Sequence, residues 1–253
     1  MPATPAWPPS SLPRLFVDEP LREGAVLTLG DAPANYLGNV LRLRPGAQVK
    51  LFDDRTGEWL AQITEVAKKR ITLVATRLLR EREPVPDIWL LFAPIKKGRI
   101  DWLIEKATEL GAGRLVPAIT QRTIVDKLNL ERLRAHTVEA AEQCERTALP
   151  ELAEPVKLAA LLRTWPEERT LFFADETGGE PFAAAAAEAT GPAAILIGPE
   201  GGFTPDEAAA IRALPQARAV SLGPRVLRAE TAAIAALAVW MAAAGDGHEP
   251  VAR

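Results

Sequence analysis

Cysteine, histidine and methionine are scarce in this sequence: 253 residues hold one cysteine, Cys144, two histidines, His136 and His248, and two methionines. A single thiol excludes an internal disulfide and a multi-thiolate metal site, and two imidazoles offer little to zinc or iron, so no metal is expected. Low cysteine use suits a reducing cytoplasm. Long apolar runs are missing too. The most apolar stretch, Thr231 to Ala244 (TAAIAALAVWMAAA), falls short of the roughly 20 residues that cross a bilayer, and reads as a buried helix. The opening MPATPAWPPSSLP has neither a charged leader nor an apolar run, so it is not read as a signal peptide or an anchor. Its Pro, Ser and Ala content predicts a disordered tail. There is no excess of positive charge: 30 basic against 33 acidic side chains give a net charge of -3. That excludes a general polycationic coat for nucleic acid and leaves room for a local basic patch.

What is present, 48% hydrophobic and 25% charged residues, suffices for a full core. After the tail, residues 1–13, the runs RLFV, AVLTL, AQVKLFD, EWLAQITEV and RITLVATRL read as strands, with turns at Gly24, Pro45-Gly46 and Asp54 to Gly57. Only APANYLGNVLRLR looks helical, so residues 14–80 predict a small β-barrel or sandwich. EREPVPD breaks the pattern and makes 81–87 a linker. From 88 to 245 the rhythm alternates strand and helix, with runs at 88–94, 114–120, 170–175, 193–198 and 217–223. These runs are apolar throughout, as strands covered on both faces are, and predict an α/β domain with a mainly parallel sheet. In KKGRIDWLIEKATELGAG, residues Ile100, Leu103, Ile104, Ala107 and Leu110 share one helical face, and Gly111 is the stop. Residues 246–253 form a second tail.

Two stretches carry the chemistry. In AAILIGPEGGFTPDE (193–207) a buried strand runs into Gly198, Pro199, Glu200, Gly201 and Gly202, whose glycines permit positive φ and close approach of backbone to a ligand. Thr204 and Glu207 have capping-box spacing around Pro205, so a helix starts at once. No Gly-Lys-Ser/Thr and no GxGxxG is present, which argues against a phosphate cradle. One strand later, SLGPRVLRAETAAIAAL (221–237) gathers Arg225, Arg228 and Glu230 where an apolar helix begins. Strand ends of this kind are where ligands gather in open α/β sheets.

LIGPEGGFTPDE followed by LGPRVLRAETA resembles the carboxy-terminal signature of the bacterial 16S ribosomal RNA uridine N3-methyltransferases, the RsmE family of the SPOUT superfamily. DWLIEKATELGA (101–112) and AAEQCERTALPEL (140–152) are similar to further segments of that family. RLFVDEPL (14–21) and NYLGNVLRLRPGAQVKLFDD (35–54) resemble its amino-terminal PUA-like RNA-binding β-barrel. The resemblance covers residues 14 to 244. It implies an α/β domain of the SPOUT type, tied in a trefoil knot, that binds S-adenosylmethionine and works as a homodimer on the small ribosomal subunit in the cytoplasm, without a metal. The cofactor would lie against Ile197, Gly198, Glu200, Gly201 and Gly202 on one side and Leu222, Gly223 and Leu227 on the other. Ala229 stands where the family often has threonine.

Uridine N3 carries a proton and becomes a nucleophile only when it leaves, so the reaction needs a base or a cationic stabiliser. Arg225 and Arg228 are the expected cations; Glu230 and Glu142 are the expected carboxylates, with Arg146 beside them. On the mid-domain helix Leu133, Thr137, Ala140, Ala141 and Cys144 fall along the inner face, which makes Cys144 a small core residue and turns Glu142, Gln143 and Arg146 elsewhere. His136 and His248 are expected to be exposed. Up to residue 85 there are 12 basic against 10 acidic side chains. Arg14, Arg42, Arg44, Lys68, Lys69 and Arg70 there, with Lys96 and Lys97 of KKGR, are the expected phosphate contacts, positioning RNA rather than reading its sequence. Two other functions fit the same fold: methylation of transfer RNA or another base, and a ribosome assembly role without turnover.

Overall fold

The computed structural model describes residues 12–125 and 127–248. The predicted tails therefore lie almost wholly outside the described residues. The chain divides into two compact units, one of residues 1–84 with 141–148, the other of 85–140 with 149–253.

In the first unit β1 (Arg14–Phe16) and β2 (Val26–Leu29) precede a short helix, α1 (Asp31–Ala34), which widens into a π-helical turn over Asn35–Val40. Then come β3 (Gln48–Phe52), β4 (Glu58–Val66) and β5 (Ile71–Arg80). They form a five-stranded sheet in the order β1-β3-β4-β5-β2, in which β1 and β3 are parallel and the other pairs antiparallel. Alternate positions of β4 and β5, among them Ile63, Ile71 and Leu73, turn inward onto Leu37, Val49 and Leu51, the period-2 pattern of a sheet with one covered face. Three register shifts between β4 and β5 bend the sheet, as bulges do. Gly57 is indispensable at the β3–β4 turn: its φ is +108° and a Cβ there would lie 2.3 Å from the Arg80 carbonyl oxygen.

The same turn is held by Asp53, 2% exposed. Its carboxylate accepts from the N–H groups of Leu21 (2.6 Å), Arg55 (2.9 Å) and Thr56 (2.7 Å) and from the Thr56 hydroxyl (2.7 Å). Burial opposes ionisation, but these donors outweigh it and hold the carboxyl below its ordinary value.

The second unit is built on β6 (Ile88–Phe92), α2 (Arg99–Glu109), β7 (Arg114–Ile119), α3 (Leu130–Cys144), β8 (Glu151–Leu152), β9 (Val156–Lys157), α4 (Leu158–Arg163), β10 (Thr170–Ala174), β11 (Glu180–Pro181), α5 (Phe182–Ala187), β12 (Ala193–Ile197), α6 (Pro205–Arg212), β13 (Ala217–Ser221) and α7 (Ala229–Ala243). Residues 141–148, the end of α3 and the turn after it, are grouped with the first unit. The sheet runs β11-β13-β10-β12-β6-β7-β8 and every pairing in it is parallel. β12 is buried at all five positions: Ile195 and Ile197 pack with α2, α5 and α7, while Ala194 and Leu196 pack with α4 and α6. Two covered faces explain why the strand is apolar without alternation. In α2, Ile100, Leu103, Ile104 and Ala107 are buried, and the chain leaves the helix at Gly111 with φ +87°. α7 is apolar on most sides because it is buried on most sides.

Candidate functional site

The carboxyl ends of β10, β12 and β13 open on one cleft of about 920 Å³ in the second unit. Three chain segments wall it: residues 173–178 after β10, 197–203 after β12 and 220–229 after β13. β12 lies beside β10, and β13 lies on the other side of β10, so segments distant in sequence meet at the place where the strand order switches direction.

The β12 loop is held from both ends. Gly202 donates its N–H to the Pro199 carbonyl (2.9 Å), closing a turn, and itself takes φ +67° as the chain leaves it. A Cβ on Gly202 would stand 2.5 Å from Glu176 Oε1, so a cleft-lining carboxylate rests directly on the bare backbone. Beyond the loop Thr204 caps α6: its hydroxyl accepts from Glu207 N–H (3.3 Å), and Glu207 Oε2 accepts from Thr204 N–H (3.0 Å). The second oxygen of Glu207 accepts from Gln121 N–H (2.7 Å), and Arg122 donates to the carbonyls of Gly201 (2.5 Å) and Phe203 (3.3 Å). The loop after β7 thus braces the glycine loop.

Opposite, Gly223 adopts φ +108° and Val226 is 96% exposed. Leu222 and Leu227 are partly buried against the core, while Arg225 and Arg228 are exposed on the cleft. Arg228 is the N-cap residue of α7, and Glu230 in the first turn is 9% exposed. Glu230 Oε1 lies 3.6 Å from Arg99 Nε, and its Oε2 is buried with no hydrogen-bond partner among the described residues. On the third wall Asp175 accepts from the N–H and hydroxyl of Thr177 (2.9 and 2.7 Å) and pairs with Arg212. Burial opposes its ionisation, and those donors overcome it, leaving the carboxyl below its ordinary value.

The structure brings Ile197, Gly198, Glu200, Gly202, Leu222, Gly223, Leu227, Arg225 and Arg228 to this cleft. Gly201 is not among the residues lining it; a Cβ there would lie 3.4 Å from Arg122 Cδ. Glu142 and Arg146 belong to the first unit. There Glu142 Oε1 accepts from Phe16 N–H (2.9 Å) and Arg146 donates to Glu83 Oε1 (2.9 Å). Of the expected phosphate contacts, Arg42, Arg44, Lys68, Lys69, Arg70, Lys96 and Lys97 are exposed. Arg14 is not: it is 9% exposed, donates to Glu58 and to the carbonyls of Ala141 and Arg146, and stacks 3.8 Å over Phe52. A guanidinium so occupied is a structural tie and not a surface contact. Two further expectations need correction. Cys144 is exposed, because it is the last residue of α3 and the chain turns away at Glu145, φ +63°. His136 is half-buried beside Asp101 (3.8 Å) and Glu105 (3.3 Å), since α2 packs along its face of α3. Arg122, Asp175, Glu176 and Arg212 line the cleft unforeseen; none belongs to a motif that marks it.

A family profile described as an RNA methyltransferase domain matches residues 81–241, and a second, described as an RNA methyltransferase PUA domain, matches residues 29–76. The chain is similar to the ribosomal RNA small subunit methyltransferase E of Rickettsia conorii, 31% identical over 229 residues that cover 89% of this chain and 93% of the relative. It is 32% identical to that of Mycobacterium tuberculosis over 252 residues, 91% of this chain and 94% of the relative. Among solved structures, a putative methyltransferase of Legionella pneumophila in complex with the bound cofactor SAM aligns with a TM-score of 0.80 at 32% identity, over 92% of this chain and 98% of that one. A ribosomal RNA small subunit methyltransferase E of Neisseria gonorrhoeae bound to S-adenosyl methionine gives 0.80 at 28% identity, over 91% and 97%.

Proposed function

We propose, from the premise that the chain belongs to the RsmE family of RNA methyltransferases, that it moves a methyl group from S-adenosylmethionine to N3 of a uridine in 16S ribosomal RNA. Its architecture is an α/β methyltransferase fold with a PUA domain. The observation that carries the reading is the cleft of about 920 Å³, where the glycine loop after β12 stands opposite two exposed arginines.

The residues present fit the cofactor. Gly198 and Gly202 offer backbone where a nucleoside needs close approach, Leu222 and Leu227 offer apolar surface for a purine, and the absence of a phosphate cradle suits a ligand without phosphates. The Glu176 carboxylate on the same cleft suits a ligand bearing positive charge. When bound, S-adenosylmethionine supplies an electrophilic methyl group, which N3 takes as S-adenosylhomocysteine is left behind. The chain supplies the rest. Arg225 and Arg228 hold positive charge where the uracil anion develops over O2 and O4 as the N3 proton passes to a carboxylate base. Glu230, nearly buried in the first turn of α7 behind this wall, is the carboxylate that would take it. Glu142 and Arg146 are engaged within the first unit, where their partners hold the end of α3 and the turn after it.

The same reading extends to finer points. The sheet order, with β12 lying between β10 and β6 and α7 packed on β12, supports a trefoil knot closing around the β12 loop. The bulged sheet of the first unit supports a PUA-like barrel, with Lys68, Lys69 and Arg70 at its β4–β5 turn for RNA phosphates. A homodimer, 16S ribosomal RNA or the small ribosomal subunit as partner, and a cytoplasmic location, each expected from the family, complete the proposal. No helix among the described residues is long and apolar enough to cross a membrane.

The test is mass-spectrometric nucleoside analysis of small-subunit RNA from cells lacking this protein, incubated as purified subunits with the protein and S-adenosylmethionine. Appearance of 3-methyluridine is expected. Cofactor binding without it would refute the assigned target.

A further inference from the structure

Arg99 sits outside the cleft, at the first position of α2, yet its guanidinium reaches carboxylates from both walls. Arg99 Nη1 lies 3.6 Å from Glu200 Oε1 on the β12 loop, and Arg99 Nε lies 3.6 Å from Glu230 Oε1 in the first turn of α7. No other element makes ion pairs to both of these segments among the described residues. We propose that Arg99 is a positioning residue for the methyl transfer: one cation ties the glycine-loop wall to the arginine-bearing wall and so fixes the width of the cofactor cleft.

Three observations carry this. The base of the side chain is rigid: Gly98, φ +88°, caps α2, Asp101 Oδ2 accepts from Gly98 N–H (3.3 Å), and Arg132 from α3 donates to the same oxygen (3.1 Å). The arrangement also gives nearly buried Glu230 an ion-pair partner at Oε1, its Oε2 having no hydrogen-bond partner among the described residues. A nearly buried carboxylate needs a compensating cation. Finally, a guanidinium spans two carboxylates at once, whereas an ammonium acts as a point charge. Arg99 is therefore engaged by acidic side chains and is not available as an RNA contact, unlike its exposed neighbours Lys96 and Lys97.

The inference rests on the reading that this cleft takes S-adenosylmethionine, and its test reads that step without RNA. Titration calorimetry of the full chain with S-adenosylmethionine is compared for the parent, Arg99→Ala, Arg99→Lys, Glu200→Gln and the double variant Arg99→Ala with Glu200→Gln. Arg99→Ala is expected to raise the cofactor Kd about five-fold, the upper range for a half-exposed ion pair, with an unchanged melting temperature. Arg99→Lys recovers part of that, and the double variant binds no more weakly than Arg99→Ala alone. Single-turnover methylation at saturating cofactor falls in Arg99→Ala as well, because Glu230 loses its partner. A Kd within about two-fold of the parent, or losses that multiply in the double variant, overturns the proposal. Should Arg99→Ala not fold, Arg99→Lys and Glu200→Gln carry the same comparison. Failure to form 3-methyluridine while Arg99→Ala still weakens cofactor binding refutes the assigned RNA target and leaves the role of Arg99 standing. Absence of cofactor binding by the parent refutes both.

Discussion

Asp53 shows how one residue couples local geometry to solution conditions. Its folded carboxyl is held below the ordinary value against the opposing effect of burial, by three backbone N–H groups and a hydroxyl. Because the unfolded chain binds that proton more readily, the stabilisation is present above about pH 4 and is lost as pH falls below it. Asp53→Asn should cost about 1–3 kcal/mol at neutral pH, and the gap to the parent should narrow as pH falls below about 4 in urea unfolding. A gap independent of pH would show that the carboxylate charge is not what holds the turn. At this scale the sequence was legible where chemistry is backbone-limited: of the glycines in the two loops, Gly202 and Gly223 take the positive φ that this residue type permits, and Gly198 and Gly201 do not. It was illegible where a partner lies far along the chain. Arg14 reads as a surface cation until Glu58, 44 residues on, is folded against it, and Asp175, Glu176 and Arg122 join the cleft only through strand order.

Among the elements, α6 combines every start signal a helix can carry: Thr204 as N-cap, Pro205 at the first position and Glu207 closing the box. Replacing Thr204 by Ala should cost about 1 kcal/mol, read by denaturant unfolding, and should loosen the glycine loop that ends at the cap. A loss of cofactor affinity larger than the stability loss would show that the cap mainly serves the loop. Strands 6, 7, 10 and 12 were readable because burial on two faces leaves a nearly unbroken apolar run. The two-residue strands β8, β9 and β11 were not, since a pairing that short has no period. The stretch 35–40 was read as helix and is helical, but its wider π turn leaves no trace in composition.

For the molecule as a whole, charge is the property most exposed to test. Lys68, Lys69 and Arg70 stand together at one turn, Lys69 and Arg70 each with a solvent-exposed carboxylate partner at 3.8 and 3.2 Å, pairs that hold little energy in water. Changing all three to Ala should weaken RNA binding and flatten its dependence on salt, by about one unit of slope for each phosphate no longer neutralised. An unchanged slope would remove this turn from the RNA surface. Two units were legible from the change of rhythm near residue 85, but the assignment of 141–148 to the first unit was not. It depends on Arg14, Glu142 and Arg146 finding partners there, which no local pattern announces.

The order of strands has a consequence for how the protein is made. β10 is translated before both of its sheet neighbours, β12 and β13, and β12 must enter between two strands already synthesised. The sheet therefore cannot assemble in the order in which its strands are synthesised, and the wall of residues 220–229 is made after the other two. A nascent chain halted before residue 220 would carry the glycine loop and lack this wall. Cofactor capture thus waits for all three segments, and a cell with ample cofactor would stabilise chains that have folded them while leaving interrupted ones open to proteolysis.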